Sequence, residues 1–306
     1  MRLTALFLGI FSAFTLLNAS AFEIQTKKGA VEIKETPKKV AVLDVGVLDN
    51  LAALEVEAAA TPDKLRPDFV ADAHKNAKTF GSMREVDFAK IANVEPDLII
   101  VATKSAKNFD EAAKIAQTID LSMDGDSFTA TLNRLATLGK IFGKEEKAAE
   151  ITSRINKLFA ETKTAAEGKT GKALIILAND GKLSLFGKES RLGWIEKLGF
   201  ELIDKEAEKQ ADGKPARNHG GTKSIDAEFI KNADADWIFV VDRAKAIDQK
   251  DAEKAEETLS KAGTLDSKAA KNNRLIYLSP AEIYIDFGGI IALERTLNEL
   301  KQAFSK

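Results

Sequence analysis

The middle of the chain, residues 127–167, holds no strand candidate and interrupts a sequence that otherwise alternates between strands and helices. Apolar residues recur there at steps of three and four, which is the repeat of an α-helix. The part from Lys144 to Glu167 predicts one helix roughly 36 Å long, at about 1.5 Å per residue. A helix of this length spans a small domain, so the sequence predicts two lobes joined by a single long helix.

The segment before the long helix has the pattern of an α/β lobe. Residues 22–33 alternate apolar and polar side chains around a turn at Lys27–Gly29, which predicts a hairpin. Two continuous apolar runs, "KKVAVLDVG" and "DLIIVAT", predict strands of the kind that are buried in a parallel sheet. Helical spacing follows each run, so the segment predicts strands that alternate with helices.

The segment after the long helix returns to the same alternation. The strings "KALIILAND" and "KLSLFG" predict two strands joined by a tight "NDG" turn, and "DWIFVVDR" and "RLIYLSP" predict further strands. "RLGWIEKLGF" and "GGIIALERTLNELKQAF" predict helices. The fold class is therefore α/β, with lobes at 22–143 and 169–306 and a linker helix at 144–168. A rigid linker limits hinge opening, which favours a binding protein with an interlobe cleft and leaves a two-lobed enzyme open.

Residues 1–21 have the pattern of a secretory signal peptide. Arg2 precedes an apolar run from Leu3 to Leu17, and Ala19 and Ala21 stand where a signal peptidase reads small residues. The run is short for a membrane span. The chain has no cysteine, which excludes disulfides, thiolate metal sites and the acylated cysteine of a lipoprotein. We therefore expect a cleaved signal and a protein released into a Gram-negative periplasm without a lipid anchor.

Three cations lie just beyond the ends of predicted strands. Lys104 follows "DLIIVAT", Arg191 follows "KLSLFG" at the start of a predicted helix, and Arg243 ends "DWIFVVDR". Each alone could be a surface charge, and Asp242 is an obvious partner for Arg243. Because the strand ends of an α/β lobe line its cleft, the three together predict a cationic cleft for an anionic ligand.

Histidine and tyrosine are rare, with two of each in the chain. His219 lies in the loop "NHGG", where it is either solvated or held out for a ligand. Tyr284 lies in "EIYIDFGG", in a predicted strand-to-helix loop of the kind that carries ligand-binding groups. His74, in a polar stretch with helical character, is predicted to lie at the surface. Tyr277, inside "RLIYLSP", is predicted to pack in the core or at a sheet edge.

These strings resemble the periplasmic binding proteins of iron–siderophore ABC transporters, and most closely the subgroup that receives ferric catecholate siderophores of the enterobactin type. The resemblance covers the whole chain after residue 21. It rests on "PKKVAVLDVGVLDNLAALEV", "FAKIANVEPDLIIVA", "SAKNFDEAAKIA", "SRLGWI", "NHGG", "IFVVDRAKAI" and "YIDFGG". It implies the class III fold of this group, two α/β lobes on one long helix, with no catalytic activity and no permanently bound cofactor. We also expect a monomer.

The resemblance implies roles for the site residues. His219 and Tyr284 match residues that bind Fe(III) directly, and Arg191 and Arg243 match basic residues that contact catecholate oxygens. Lys104 stands where an arginine is expected, and a lysine is a point charge rather than a bidentate donor. Iron(III) complexes of two or three catecholates are anions. A bis-catecholate leaves two iron positions for an imidazole and a phenolate, whereas a hexadentate siderophore leaves none.

The resembling family also docks on an inner-membrane permease through acidic residues on both lobes. The candidates are Glu85 or Asp87 in the first lobe and Asp226 or Glu228 in the second. The expected function is capture of ferric catecholate siderophores and their delivery to an ABC permease for iron uptake. A receptor of the same fold for haem, a hydroxamate siderophore or cobalamin is the alternative.

Two further classes of function are disfavoured by the sequence. An exported hydrolase lacks support, because the chain shows no serine–histidine–acid pattern and no paired-histidine metal motif. A nucleic-acid partner is not expected, because the net charge is -2 and no dense block of lysine and arginine is present.

Overall fold

The computed structural model describes residues 21–65, 67–83, 85–204 and 222–306. The signal segment, apart from Ala21, and the "NHGG" loop with His219 lie outside the described residues. Within the described ranges no helix is both long and apolar enough to cross a membrane.

The first lobe is a hairpin followed by a parallel α/β sheet. The hairpin pairs β1 (Phe22–Thr26) with β2 (Gly29–Ile33), as the alternation predicts. The sheet strands are β3 (Val40–Val42), β4 (Ala60–Thr61), β5 (Lys78–Thr79), β6 (Leu98–Val101) and β7 (Gln117–Asp120). They lie in the order β5-β4-β3-β6-β7, and every pairing is parallel. The helices are α1 (Val45–Ala53), α2 (Asp68–Ala73), α3 (Phe88–Ala92) and α4 (Phe109–Ala112).

Two consecutive helices follow β7, in the stretch that lacks strand candidates. They are α5 (Ser127–Phe142) and the long helix α6 (Glu145–Ala166). Asp126 caps α5 by accepting a hydrogen bond from the Thr129 N–H at 2.9 Å. The buried face of α6 includes the residues that the helical spacing predicts: Ala148, Ile151, Ile155, Leu158 and Thr162. The long helix is therefore present inside the predicted range 144–168.

The second lobe is built on a mixed sheet. Its strands are β8 (Lys172–Asn179), β9 (Lys182–Phe186), β10 (Glu201–Leu202), β11 (Thr222–Ile225), β12 (Trp237–Asp242) and β13 (Leu275–Tyr277). They follow the order β11-β9-β8-β12-β13, with β10 also paired to β8. Asp180 and Gly181 join β8 to β9 with φ of 50° and 74°, the left-handed pair that a tight hairpin turn requires. The helices are α7 (Ala227–Ala233), α8 (Arg243–Ala246), α9 (Ala255–Lys261), α10 (Lys268–Lys271), α11 (Pro280–Tyr284) and α12 (Ile290–Phe304).

The connection between the lobes is wider than one helix. The last helix, α12, packs along α6 and also contacts α1 of the first lobe. Arg154 of α6 makes a bidentate ion pair with Glu294 of α12, with N···O distances of 2.9 and 3.0 Å. One buried apolar cluster extends from Val42 in the first sheet, through Ile155 of α6, to Phe239 in the second sheet. A large hinge motion would expose this shared core to water.

His74 is buried, so the prediction of a surface position is wrong. It ends α2 and is 3% exposed. Its Nδ1 accepts a hydrogen bond from the Ala58 N–H at 3.1 Å, and its Nε2 lies 2.8 Å from the Leu48 carbonyl oxygen. Because a backbone N–H can only donate and a carbonyl can only accept, the ring is neutral with its proton on Nε2. The polar sequence around His74 gives no sign of these two backbone partners, because only the fold brings them to the imidazole ring.

Two local elements also differ from their sequence patterns. The string "RLGWIEKLGF" forms a 3-10 helix over Gly193–Leu198 rather than an α-helix. Tyr284 is the last residue of the short helix α11 rather than part of an open strand-to-helix loop. Tyr277 lies on the edge strand β13 and is 36% exposed, in keeping with the predicted edge position.

Candidate functional site

Four of the five residues predicted for the ligand site meet where the two lobes face each other. Lys104 lies in a 3-10 turn, Thr103–Asn108, just after β6 of the first sheet. Arg243 starts α8 directly after β12, and Arg191 lies between β9 and the 3-10 helix of the second lobe. Tyr284 ends α11. The fifth residue, His219, lies outside the described residues.

Tyr284 is the centre of this group. Its hydroxyl oxygen accepts a hydrogen bond from the Arg243 Nε at 2.7 Å. The Lys104 ammonium lies 5.0 Å from the ring centroid, and the guanidinium carbons of Arg191 and Arg243 lie 5.3 and 5.2 Å from it. These distances are within the range of cation–π attraction. The three cations that the sequence marks at separate strand ends therefore surround one aromatic ring.

Arg243 is held by a residue that the sequence reading missed. Its Nη1 donates to the Oδ1 of Asn179, at the carboxyl end of β8, at 2.8 Å. Asp242, the partner suggested by sequence, instead caps α8 by accepting from the Lys245 N–H at 2.9 Å. Strands β8 and β12 are adjacent and parallel, so their carboxyl ends coincide and Asn179 comes beside Arg243. The sequence could have indicated Asn179 by the same argument as Arg243, because its string "AND" also stands at the end of a predicted strand, where the cleft is expected.

Arg191 is inserted under Tyr284 rather than extended into solvent. Its Nη1 donates to the carbonyl oxygens of Ile283 and Tyr284 at 3.1 and 2.9 Å. Its guanidinium carbon lies 4.8 Å from the Phe287 ring centroid and 5.9 Å from that of Phe186. Burial lowers the pKa of Arg191, and the nearby Tyr284 opposes that shift. Arg191 thus carries a positive charge to the site and also fixes the backbone of the tyrosine.

The four acidic residues predicted for permease docking lie near the starts of α3 and α7. Asp87 caps α3 by accepting from the Lys90 N–H at 3.1 Å, and Asp226 caps α7 by accepting from the Phe229 N–H at 2.8 Å. Glu85 and Glu228 are exposed. Two of the four acids therefore also have a structural role at a helix start.

The arrangement is suited to binding rather than to bond-breaking chemistry. Cations from both lobes surround a phenol at the carboxyl ends of parallel strands, which is where α/β folds bind ligands. Among the described residues, no group of three or more histidine, cysteine, aspartate or glutamate side chains could hold a metal ion. Fold and site together define a two-lobed binding protein with a cluster of cations between its lobes.

The chain belongs to the periplasmic binding protein family, whose sequence profile matches residues 40–282. It is 32% identical to the petrobactin-binding protein YclQ of Bacillus subtilis (strain 168) over 287 residues, which cover 92% of this chain and 87% of that protein. The crystal structure of YclQ superposes with a TM-score of 0.81 at 30% identity, covering 94% of this chain and 99% of that one. The predicted family and the class III fold are confirmed.

Two further solved structures have the same fold over almost their whole length. The siderophore-binding protein BauB, bound to two molecules of acinetobactin and ferric iron, gives a TM-score of 0.80 at 25% identity, covering 93% of this chain and 99% of that one. The periplasmic catecholate-siderophore binding protein VctP of Vibrio cholerae gives 0.80 at 25% identity, covering 92% and 100%. These relatives are substrate-binding proteins, and this chain is an extracytoplasmic binding protein and not an enzyme, as the sequence predicts.

Proposed function

We propose that the protein captures ferric siderophores of the catecholate type between its lobes and delivers them to an ABC permease for iron uptake. The observation that carries the proposal is the convergence of Lys104, Arg191 and Arg243 on Tyr284. A phenol surrounded by cations offers an oxygen ligand for iron and positive charge for an anionic complex. The binding of petrobactin, ferric acinetobactin and a catecholate siderophore by the three relatives supports the same ligand class.

Binding begins with charge attraction. An anionic ferric catecholate is drawn to the interlobe cations. Arg243 has planar N–H groups that can turn from the Tyr284 hydroxyl to catecholate oxygens, whereas Lys104 supplies a point charge from the opposite lobe. Tyr284 is 5% exposed, so a ligand reaches its oxygen only after a neighbouring side chain moves. The Arg243–Tyr284 hydrogen bond is the contact that must open.

Direct iron binding depends on the siderophore. With a bis-catecholate, the Tyr284 oxygen and a His219 nitrogen complete the iron shell, and the phenol proton leaves as the bond to iron forms. With a hexadentate siderophore the iron needs no protein ligand, and the cations alone hold the complex. We propose His219 for this role on the family resemblance, since it lies outside the described residues.

The proposal includes the state and location of the protein. We propose that it is a monomer, that it is released into the periplasm by cleavage after Ala21, and that it carries no lipid anchor. We propose that Glu85 or Asp87 on the first lobe and Asp226 or Glu228 on the second provide the permease contacts.

Titration of the purified chain after residue 21 with ferric complexes tests the ligand class. Tryptophan fluorescence reports affinity, and the visible charge-transfer band reports ligands on iron. We expect tight binding of a ferric bis-catecholate, with a band shift that is lost in Tyr284→Phe and in His219→Ala. Tyr277→Phe is the matched control, because it removes the other tyrosine at an exposed sheet edge. Preferential binding of haem, a ferric hydroxamate or cobalamin would contradict the catecholate proposal.

A second comparison tests the role of charge. Lys104→Gln removes one cation near the ligand, so we expect an affinity loss of roughly tenfold, typical of a charged contact, and a weaker dependence on salt. Lys107→Gln is the control, since this exposed lysine lies in the same 3-10 turn. Equal losses in the two variants would mean that Lys104 has no specific role.

A further inference from the structure

Helix α5 of the first lobe contacts Tyr284's surroundings on two sides, although it contains no proposed ligand-binding residue. On one side the Ser127 hydroxyl donates to the Arg191 carbonyl oxygen at 2.9 Å, and Arg191 in turn holds the Tyr284 carbonyl. On the other side Arg134 donates to the carbonyl oxygen of Gly288 at 2.5 Å and to that of Phe287 at 3.2 Å. The tyrosine therefore lies between two attachments that start from one helix.

Arg134 is buried among charged groups. It is 4% exposed, and its Nη1 lies 3.8 Å from the Asp44 carboxylate. Burial lowers the pKa of Arg134, whereas the charges of Asp44, Asp286 and Asp49 oppose that shift. A buried arginine among three carboxyl groups with two backbone carbonyls as acceptors has little freedom to move. The Phe287 and Gly288 carbonyl oxygens are therefore bound to a buried side chain.

Neighbouring residues of α1 hold the same segment. Asn50 donates to the Gly288 carbonyl oxygen at 3.0 Å. Asp49 accepts from the N–H groups of Ile291 and Ala292, at 2.8 and 3.0 Å, at the start of α12. The path from Tyr284 into α12 is thus fixed by side chains of the opposite lobe.

Glycines make this close approach possible. A Cβ at Gly46 of α1 would lie 2.7 Å from the Arg134 guanidinium and would also overlap the Phe287 carbonyl. Gly288 has a φ of 82°, and a Cβ there would overlap the Arg134 guanidinium and the Met123 side chain. Gly46 and Gly288, the first glycine of "YIDFGG", therefore serve the junction between the lobes, where backbone must pass against a buried arginine.

We propose that Ser127 and Arg134 are positioning residues for the ligand site: they set the place of Tyr284 relative to Lys104 across the cleft. Neither residue has to touch the ligand. The effect on iron binding rests on the proposed function, whereas the effect on the ligand-free tyrosine does not.

The test combines tyrosine NMR with ligand titration. The chain has two tyrosines, so ring-labelled tyrosine gives two sets of signals, which Tyr277→Phe assigns. In Ser127→Ala and Arg134→Gln we expect the Tyr284 ring resonance to shift and that of Tyr277 to stay. We expect the affinity for a ferric bis-catecholate to fall roughly tenfold in Arg134→Gln, as for loss of a charged hydrogen bond, with a shifted charge-transfer band.

Controls separate positioning from folding. Arg154→Gln removes another interhelical arginine without touching the Tyr284 segment, so it should lower stability slightly and leave both tyrosines unchanged. Arg134→Lys keeps the charge and should restore part of the affinity. Ser127→Ala deletes one hydroxyl and keeps the test valid should Arg134→Gln fail to fold.

The outcomes distinguish the two proposals. An unchanged Tyr284 resonance in folded Ser127→Ala and Arg134→Gln overturns the positioning role. A shifted resonance in a protein that binds no ferric catecholate supports the positioning role and rejects the proposed function.

Discussion

His74 is a titratable group whose environment favours one protonation state. Its two ring nitrogens are bound by backbone groups that suit only the neutral ring, and burial lowers its pKa below the ordinary value of 6.5. The unfolded chain therefore takes up a proton more readily than the folded protein. The stabilising contribution of His74 is fully present above pH 6.5 and is lost as the pH falls through the lowered value.

We expect His74→Gln to make stability less sensitive to acid. A glutamine can accept from the Ala58 N–H and donate to the Leu48 carbonyl without titrating. The difference in unfolding free energy between the wild type and the variant should decrease as the pH is lowered below 6.5. Urea denaturation of both proteins over this pH range measures it, and a constant difference would show that His74 has the same pKa in the folded and unfolded chains.

At the scale of residues, the sequence predicts the side chains that meet at the candidate site better than it predicts the residues that support them. Lys104, Arg243 and Tyr284 could be predicted because each stands near a strand end or a helix start in a chain with few tyrosines. Arg134 and Asn50 could not, because their partner Gly288 is separated from them by 154 and 238 positions along the chain. Only the folded chain shows which distant backbone groups a buried polar side chain meets.

At the scale of elements, Gly288 shows how one backbone position joins a short helix to a long one. It lies between α11 and α12 with φ in the left-handed region, and its missing side chain leaves room for Arg134 and Met123. Gly263 has a comparable φ of 67°, but a Cβ added there would meet no atom within 4 Å. An alanine at Gly263 therefore measures the free-energy cost of the left-handed backbone conformation alone.

We expect Gly288→Ala to destabilise the protein by about 2–4 kcal/mol and Gly263→Ala by about 1 kcal/mol. The first variant combines backbone strain with overpacking, whereas the second has the strain alone. Chemical denaturation of the two variants gives the comparison directly. Equal losses would mean that the junction can move away from an added methyl group.

Helix α6 and the "NDG" hairpin could be predicted because their signals are local. A twenty-two-residue helix repeats its apolar face several times, and a left-handed turn has a distinctive sequence. The 3-10 helix Gly193–Leu198 and the short helix α11 have too few turns for a periodic signal. The conformation of such short elements depends on tertiary contacts. One example is the hydrogen bond from the Ser127 hydroxyl to the Arg191 carbonyl oxygen, next to the 3-10 helix.

At the scale of the whole molecule, three connections join the lobes: the long helix α6, its packing against α12, and the polar contacts of α1 and α5 with the segment before α12 and with its first turn. The sequence predicts the first of these and the limited hinge motion that follows from it. The other two depend on pairs of elements that the chain brings together only after both lobes have formed. They strengthen the same conclusion, because opening the cleft widely would separate buried groups.

We therefore expect the molecule to keep nearly the same shape on binding a ferric bis-catecholate, with a change in radius of gyration below about 1 Å. Small-angle scattering of the free and saturated protein measures this quantity. The double variant Arg154→Gln/Lys301→Gln should show an equally small change in radius of gyration. Its two half-exposed ion pairs contribute at most about 1 kcal/mol each, and the shared apolar core remains. A clear contraction on binding would mean that the lobes move against each other despite that core. The opening of the Arg243–Tyr284 hydrogen bond would then be part of a domain closure rather than a local side-chain rearrangement.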